Sequence, residues 1–137
     1  MLRAGLALTL FAVAFGYVEA AVVVYLRHIY DPLRQALYPG RATGDLFPLI
    51  PIGQLSSEHV RLLTVELGRE AATLLMLSGV ALLAARERRQ WIAGFAIAFG
   101  VWDISFYVFL KVLIDWPASL LTWDLLFLIP APWVGQC

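Results

Sequence analysis

Apolar residues run along this chain in four long blocks, and acidic residues break into those blocks at a few positions. The blocks run from about Ala4 to Leu26, Leu62 to Ala85, Trp91 to Ile114 and Pro117 to Val134. The first three reach the roughly 20 residues needed to cross a bilayer core as a helix. The fourth falls short, because Pro130 and Pro132 interrupt it by removing backbone donors and fixing φ. The pattern predicts an all-α integral membrane protein, a bundle of about four transmembrane helices with the last short or proline-broken. The chain reads as one transmembrane domain over residues 1–137.

The links sharpen this expectation. Arg86-Glu87-Arg88-Arg89 joins the second block to the third as a short basic turn. Asp115-Trp116-Pro117 joins the third to the fourth, with Asp115 or Trp116 expected as an N-cap and Pro117 in the first helical turn. The link from Arg27 to Arg61 is the only sizeable extramembrane segment, and it carries Pro32, Pro39, Pro48 and Pro51 among apolar residues. It predicts an outer loop over residues 27–61 lying along the membrane surface, with a short interfacial helix over Pro32 to Tyr38. An alternative for the first block is a signal peptide, from Arg3 and the Val18-Glu19-Ala20 triplet. Against it, Tyr17 to Leu26 stays apolar beyond that cut.

Composition supports lipid as the solvent. Of 137 residues, 61% are hydrophobic and 15% charged, against about a quarter charged in soluble domains. Lys plus Arg and Asp plus Glu are 10 each, so no net charge points to nucleic acid. The single cysteine, Cys137, cannot close an internal disulfide. The Arg86–Arg89 cluster in a short turn, with Arg3, predicts both termini on the cytoplasmic side of a bacterial-type inner membrane. Tyr25, Tyr30, Trp91, Trp116 and Trp133 near the block ends fit an interfacial aromatic belt.

The candidate chemistry lies in the acids. Glu19, Glu66, Glu70, Asp103 and Asp124 fall inside the blocks, where charge is costly and marks a candidate site. At 1.5 Å per residue, all five sit in or at the edge of the half nearer the long link, Asp103 deepest at ~16 Å. Glu66 and Glu70 share a helix face, and Arg69 is within pairing reach of Glu66. Lys111 is placed to snorkel to the interface. The expected arrangement is an inward-facing polar cluster of Glu19, Glu66, Arg69, Glu70, Asp103 and Asp124. The pattern W-D-x-x-F occurs twice, at Trp102 to Phe106 and Trp123 to Phe127, which is either a tryptophan set to shield each acid or a chance echo in a chain with 5 tryptophans.

Three functions fit such a cluster. One is an accessory or assembly subunit, or a self-associating protein, whose polar groups hold helices in register. Another is a proton- or cation-coupled carrier or channel. The third is a membrane metalloenzyme with Glu66, Glu70 and His59 as candidate ligands, although the Glu-x-x-His spacing of di-metal bundles is absent. His59 is also a candidate ligand for a pigment or haem near the outer surface. No cofactor is required by the sequence. The expected partners are the lipid bilayer and either further copies of the chain or a larger membrane complex. Glycine-rich phosphate loops and Cys-x-x-Cys pairs are lacking, and no serine is evident at the depth of a histidine.

Overall fold

A computed structural model describes residues 2–37, 39, 56–127 and 133–136. Three helices, α1 (Leu2–Leu37), α2 (Ser57–Ala84) and α3 (Arg88–Ile114), are each long and apolar enough to cross a membrane. Two short strands follow, β1 (Trp123–Phe127) and β2 (Trp133–Gln136).

The helix ends have local causes. At the start of α2, the Ser56 carbonyl accepts the Val60 N–H at 3.0 Å, and its hydroxyl oxygen faces the His59 N–H at 3.4 Å. A serine side chain in this position satisfies one of the orphan donors of a first turn. That cap starts the helix five residues before its apolar block. α3 ends at Asp115, whose backbone is left-handed (φ 52°, ψ 35°) and whose N–H donates to the Lys111 carbonyl. Aspartate tolerates this conformation better than most residues, and Pro117 cannot extend the helix. Asp115 therefore closes α3 and is not an N-cap for a following helix.

The expected fourth span over 117–134 is not helical among the described residues. Thr122 N–H donates to the Ser119 carbonyl, and Ser119 N–H donates to the Thr122 hydroxyl, both at 3.1 Å. β1 then pairs antiparallel with β2, with Asp124 opposite Gly135 and Leu125 opposite Val134. The reason lies in the prolines. A helix begun at Pro117 would have little more than a dozen residues before Pro130, too few for a crossing of about 20. Pairing gives the backbone groups partners that a broken helix would lack.

The long link is also shorter than expected, because α1 runs unbroken through Pro32 to Leu37. Instead of a separate interfacial helix over Pro32 to Tyr38, residues 32–37 are the last turns of α1. Proline costs one backbone hydrogen bond within a helix, a loss a long flanking helix can absorb. At 36 residues, α1 is about 54 Å long by helical rise, well beyond the ~30 Å hydrocarbon layer. Its polar residues Arg27, His28, Asp31, Arg34 and Gln35 gather toward its carboxyl-terminal end. The rest of the expected surface loop lies largely outside the described residues.

The contacts form two compact units, Met1–Val24 with Thr73–Trp116, and Tyr25–Ala72 with Pro117–Cys137. In the first, Leu8, Ala12, Gly16 and Ala20 form the buried ridge of α1. Gly16 lies against α3: a Cβ built there would be 2.8 Å from the Ser105 Cβ, and 3.0 Å from the Phe106 nitrogen and the Trp102 carbonyl oxygen. Small residues at fourfold spacing let helix backbones approach this closely. α2 meets α3 where Ala81 faces Gly94, and the Trp91 indole donates to the Ser78 carbonyl at 3.2 Å. Tyr17 and Phe109 join α1 to α3 edge-to-face at 5.3 Å.

In the second unit, Tyr30 is buried. Its hydroxyl donates to the His59 carbonyl at 3.0 Å, and its ring lies 5.2 Å from the imidazole. Arg34 donates to Asp31 through Nε at 3.1 Å and through its terminal nitrogen at 2.6 Å.

Only 28%, 22% and 17% of the apolar windows of α1, α2 and α3 are buried within the protein. Large apolar side chains therefore point outward, among them Leu2, Leu6, Leu10, Val65, Leu75, Leu83, Ile104 and Val112. Exposed apolar surface on this scale marks contact with lipid or protein rather than water.

Candidate functional site

The expected polar positions fall on three helices and one strand. On α2, the buried stripe is Glu70, Thr73, Leu77 and Ala81, one face at spacings of three and four. Glu66 lies one turn before Glu70 on the same stripe. Arg69 grips Glu66 with two parallel hydrogen bonds, Nε to Oε2 at 2.7 Å and the terminal nitrogen to Oε1. This forked pairing is the strong form of an arginine–carboxylate contact. The side chains are 25% and 12% exposed, respectively, so the pair is shielded but not sealed.

In the first unit, Glu19 is 4% exposed, and the Thr73 hydroxyl donates to its Oε1 at 2.5 Å. This contact ties α1 to α2 in the same layer as the small-residue ridge. Thr73 was not among the expected site residues. Its sequence signal is a hydroxyl one turn after Glu70 on the acid-bearing face.

Asp103 stands half-buried near the middle of α3, and it has no hydrogen bond or ion pair among the described residues. Trp102 beside it is buried, stacked at 6.1 Å on Phe106 and tilted against Phe99 at 5.3 Å. Asp124 lies in β1, so the depth expected for it on a fourth helix does not apply. The two W-D-x-x-F segments accordingly lie in different secondary structures.

His59, expected as a metal candidate, sits in the first turn of α2. Its Nδ1 is 2.6 Å from the Ser56 hydroxyl, which corrects the expectation of no serine at the depth of a histidine. The i,i+3 spacing and exposure of this contact make it part of the helix cap. His59, Glu66 and Glu70 do not gather into a metal-binding group: among the described residues there is no cluster of three or more His, Cys, Asp or Glu that could hold an ion.

Lys111 reaches past the end of α3 to Asp115 at 2.7 Å. Its hydrogen bond, and then its charge, hold the Asp115 carboxyl below the usual carboxylate range. That pair stabilises the helix end above the ordinary carboxylate pKa and is lost as pH falls through the lowered value.

Replacing Arg69 with leucine is expected to destabilise the protein by about 1–3 kcal/mol, because a shielded Glu66 carboxylate loses its guanidinium. Removing both partners, Glu66→Leu with Arg69→Leu, is expected to recover most of the loss, since apolar side chains substitute well for a shielded pair. Thermal unfolding of both variants in detergent checks this. A double variant as unstable as Arg69→Leu alone would show that Arg69 stabilises the protein through groups other than Glu66.

No protein-family model matches this sequence, and no curated protein or solved structure is significantly similar to it. The functional reading therefore rests on the residues and their geometry.

Proposed function

We propose that the chain is an integral membrane protein crossing the bilayer three times and serving as an accessory or assembly subunit, in a homo-oligomer or a larger membrane complex. Its intrahelical acids are structural. The observation that carries this reading is how the acids are partnered: Glu66 is held by Arg69 on its own helix and Glu19 by the Thr73 hydroxyl. Groups committed to near neighbours favour fixed helix register over turnover. The outward apolar side chains of all three helices supply surface for lipid and for protein partners.

Three crossings also revise the topology. Arg3 and the Arg86–Arg89 turn share one face, and Arg27, Arg34, Arg41 and Arg61 are spread over the long link on the other. The density of charge in the short turn favours the first face as the cytoplasmic one. The segment after α3 then lies on the opposite face, so a cytoplasmic location is retained for the amino-terminal end of α1 alone.

Asp103 favours a second reading, a proton- or cation-coupled carrier. A half-buried acid in mid-helix, with no partner among the described residues, is the kind of group such a pathway uses. Glu70→Gln and Asp103→Asn separate the two readings, because each keeps shape and hydrogen bonding while removing charge. For a structural role, both variants are expected to match the parent or gain slight stability, since a neutral amide is cheaper to bury than a charge. Thermal stability across pH, with and without added sodium or divalent ions, is the measurement. Ion- or pH-dependent stabilisation in the parent that disappears in either variant would overturn the accessory reading and support the carrier.

A further inference from the structure

We propose that the turn between α2 and α3 is a binding surface for anionic phospholipid, recognising through Arg86, Arg88 and Arg89 a headgroup phosphodiester whose negative charge no ammonium group of the same lipid offsets. The proposal rests on the membrane reading above. All three arginines are exposed, and none forms an ion pair among the described residues, although Glu87 lies between them. Three guanidiniums within four residues repel one another, and an anion relieves that repulsion.

The location of the arginines adds a second conflict. Arg88 and Arg89 occupy the first turn of α3, which contains no acidic residue, and the Glu87 side chain makes no capping hydrogen bond. The start of a helix carries partial positive charge and favours anions, so these cations stand where helix electrostatics disfavours them. A phosphodiester seated among them offsets both conflicts and offers oxygens that match the arginine fork.

The surroundings identify the anion as a lipid rather than a free phosphate. Leu82, Leu83 and Ile92 flank the turn and are 61%, 89% and 64% exposed. Trp91 is anchored beside them by its bond to Ser78. Charged donors at the headgroup level, next to exposed aliphatic chains, complement the two parts of an anionic phospholipid. Basic groups at the cytoplasmic end of membrane helices recognise such lipids.

The test uses the full chain reconstituted in vesicles of equal parts phosphatidylglycerol and phosphatidylcholine, then released for native mass spectrometry. The parent is expected to retain phosphatidylglycerol over phosphatidylcholine by about a hundredfold, in keeping with roughly additive attraction from three basic residues. Arg86→Gln with Arg88→Gln and Arg89→Gln is expected to abolish the preference. The triple lysine variant, which keeps the charge but not the fork, should retain a reduced preference, which separates lost charge from misfolding. Inorganic phosphate added to detergent-solubilised parent should give no thermal stabilisation, whereas phosphatidylglycerol should. Equal retention of both lipids by membrane-embedded parent, an undiminished preference in the glutamine variant, or equal stabilisation by inorganic phosphate would each overturn the proposal. Extraction of the parent from vesicles by alkaline carbonate would overturn the membrane reading as well, and so distinguishes the two failures.

Discussion

Gly16→Leu is expected to force α1 away from α3 and leave no cooperatively folded protein in detergent. Even Gly16→Ala puts a carbon 2.8 Å from the Ser105 Cβ and 3.0 Å from two backbone atoms of α3. Backbone atoms inside a hydrogen-bonded helix cannot step aside as a flexible side chain can. The helices must separate, and the contacts around Ala12, Ala20 and the Tyr17–Phe109 pair loosen with them. Overpacking of this kind costs about 1–3 kcal/mol for a small group, and a leucine at the same position adds three more carbons to the clash. Gly79 and Gly100 provide the control, since a Cβ at either meets nothing within 4 Å. Alanine at those positions is expected to be neutral or to stabilise by about 0.5–1 kcal/mol through helix propensity. Thermal or denaturant unfolding of the three alanine variants checks the contrast. A Gly16→Ala protein as stable as the two controls would show that α1 and α3 are not held this closely.

Thr73→Val is expected to destabilise by about 1–3 kcal/mol, the cost of withdrawing a donor from a buried polar group. Valine is close in shape to threonine, so packing is nearly unchanged and the effect reports the hydroxyl. Glu19→Gln is expected to behave oppositely. Its amide oxygen still accepts from Thr73, and removing the negative charge lowers the cost of burial. Combining Thr73→Val with Glu19→Leu is expected to be milder than Thr73→Val alone, because no buried acceptor then loses its donor. Unfolding free energies for the single and double variants form a cycle that isolates the contact. Additive losses would mean that Thr73 and Glu19 act independently and that other groups hold the acid.

The three long helices were legible in the linear sequence, because the physical demand is local. About 20 successive apolar residues with few charges can satisfy their backbone in lipid only as a helix. The pairing reach of Glu66 and Arg69 was likewise set by spacing of three along one helix, and that is where the guanidinium sits. The basic turn at Arg86–Arg89 needed only its composition and its flanking spans.

Other features depended on distant parts of the chain. Residues 123–127 are apolar enough to read as helix, but β2 supplies their hydrogen-bond partners, and a helical continuation meets Pro130. Pro32 suggested a boundary by its local preference, yet α1 passes through it, since its flanking turns hold one missing bond in place. Asp115 looked like the start of a helix and proved to be the end of one, because a short polar residue two positions before a proline suits either role. Thr73 became the partner of Glu19 across 54 positions of sequence, a distance at which spacing carries no information. The small residues Ala12, Gly16 and Ala20 recur at fourfold spacing but drew no expectation, and only the backbone of α3 lying against them decided that Gly16 admits no side chain. Periodicity and solvent preference act through neighbours along the chain and can be read from it. Close approach, strand pairing and the choice of donor for a buried acid act between segments, and folding alone brings those segments together.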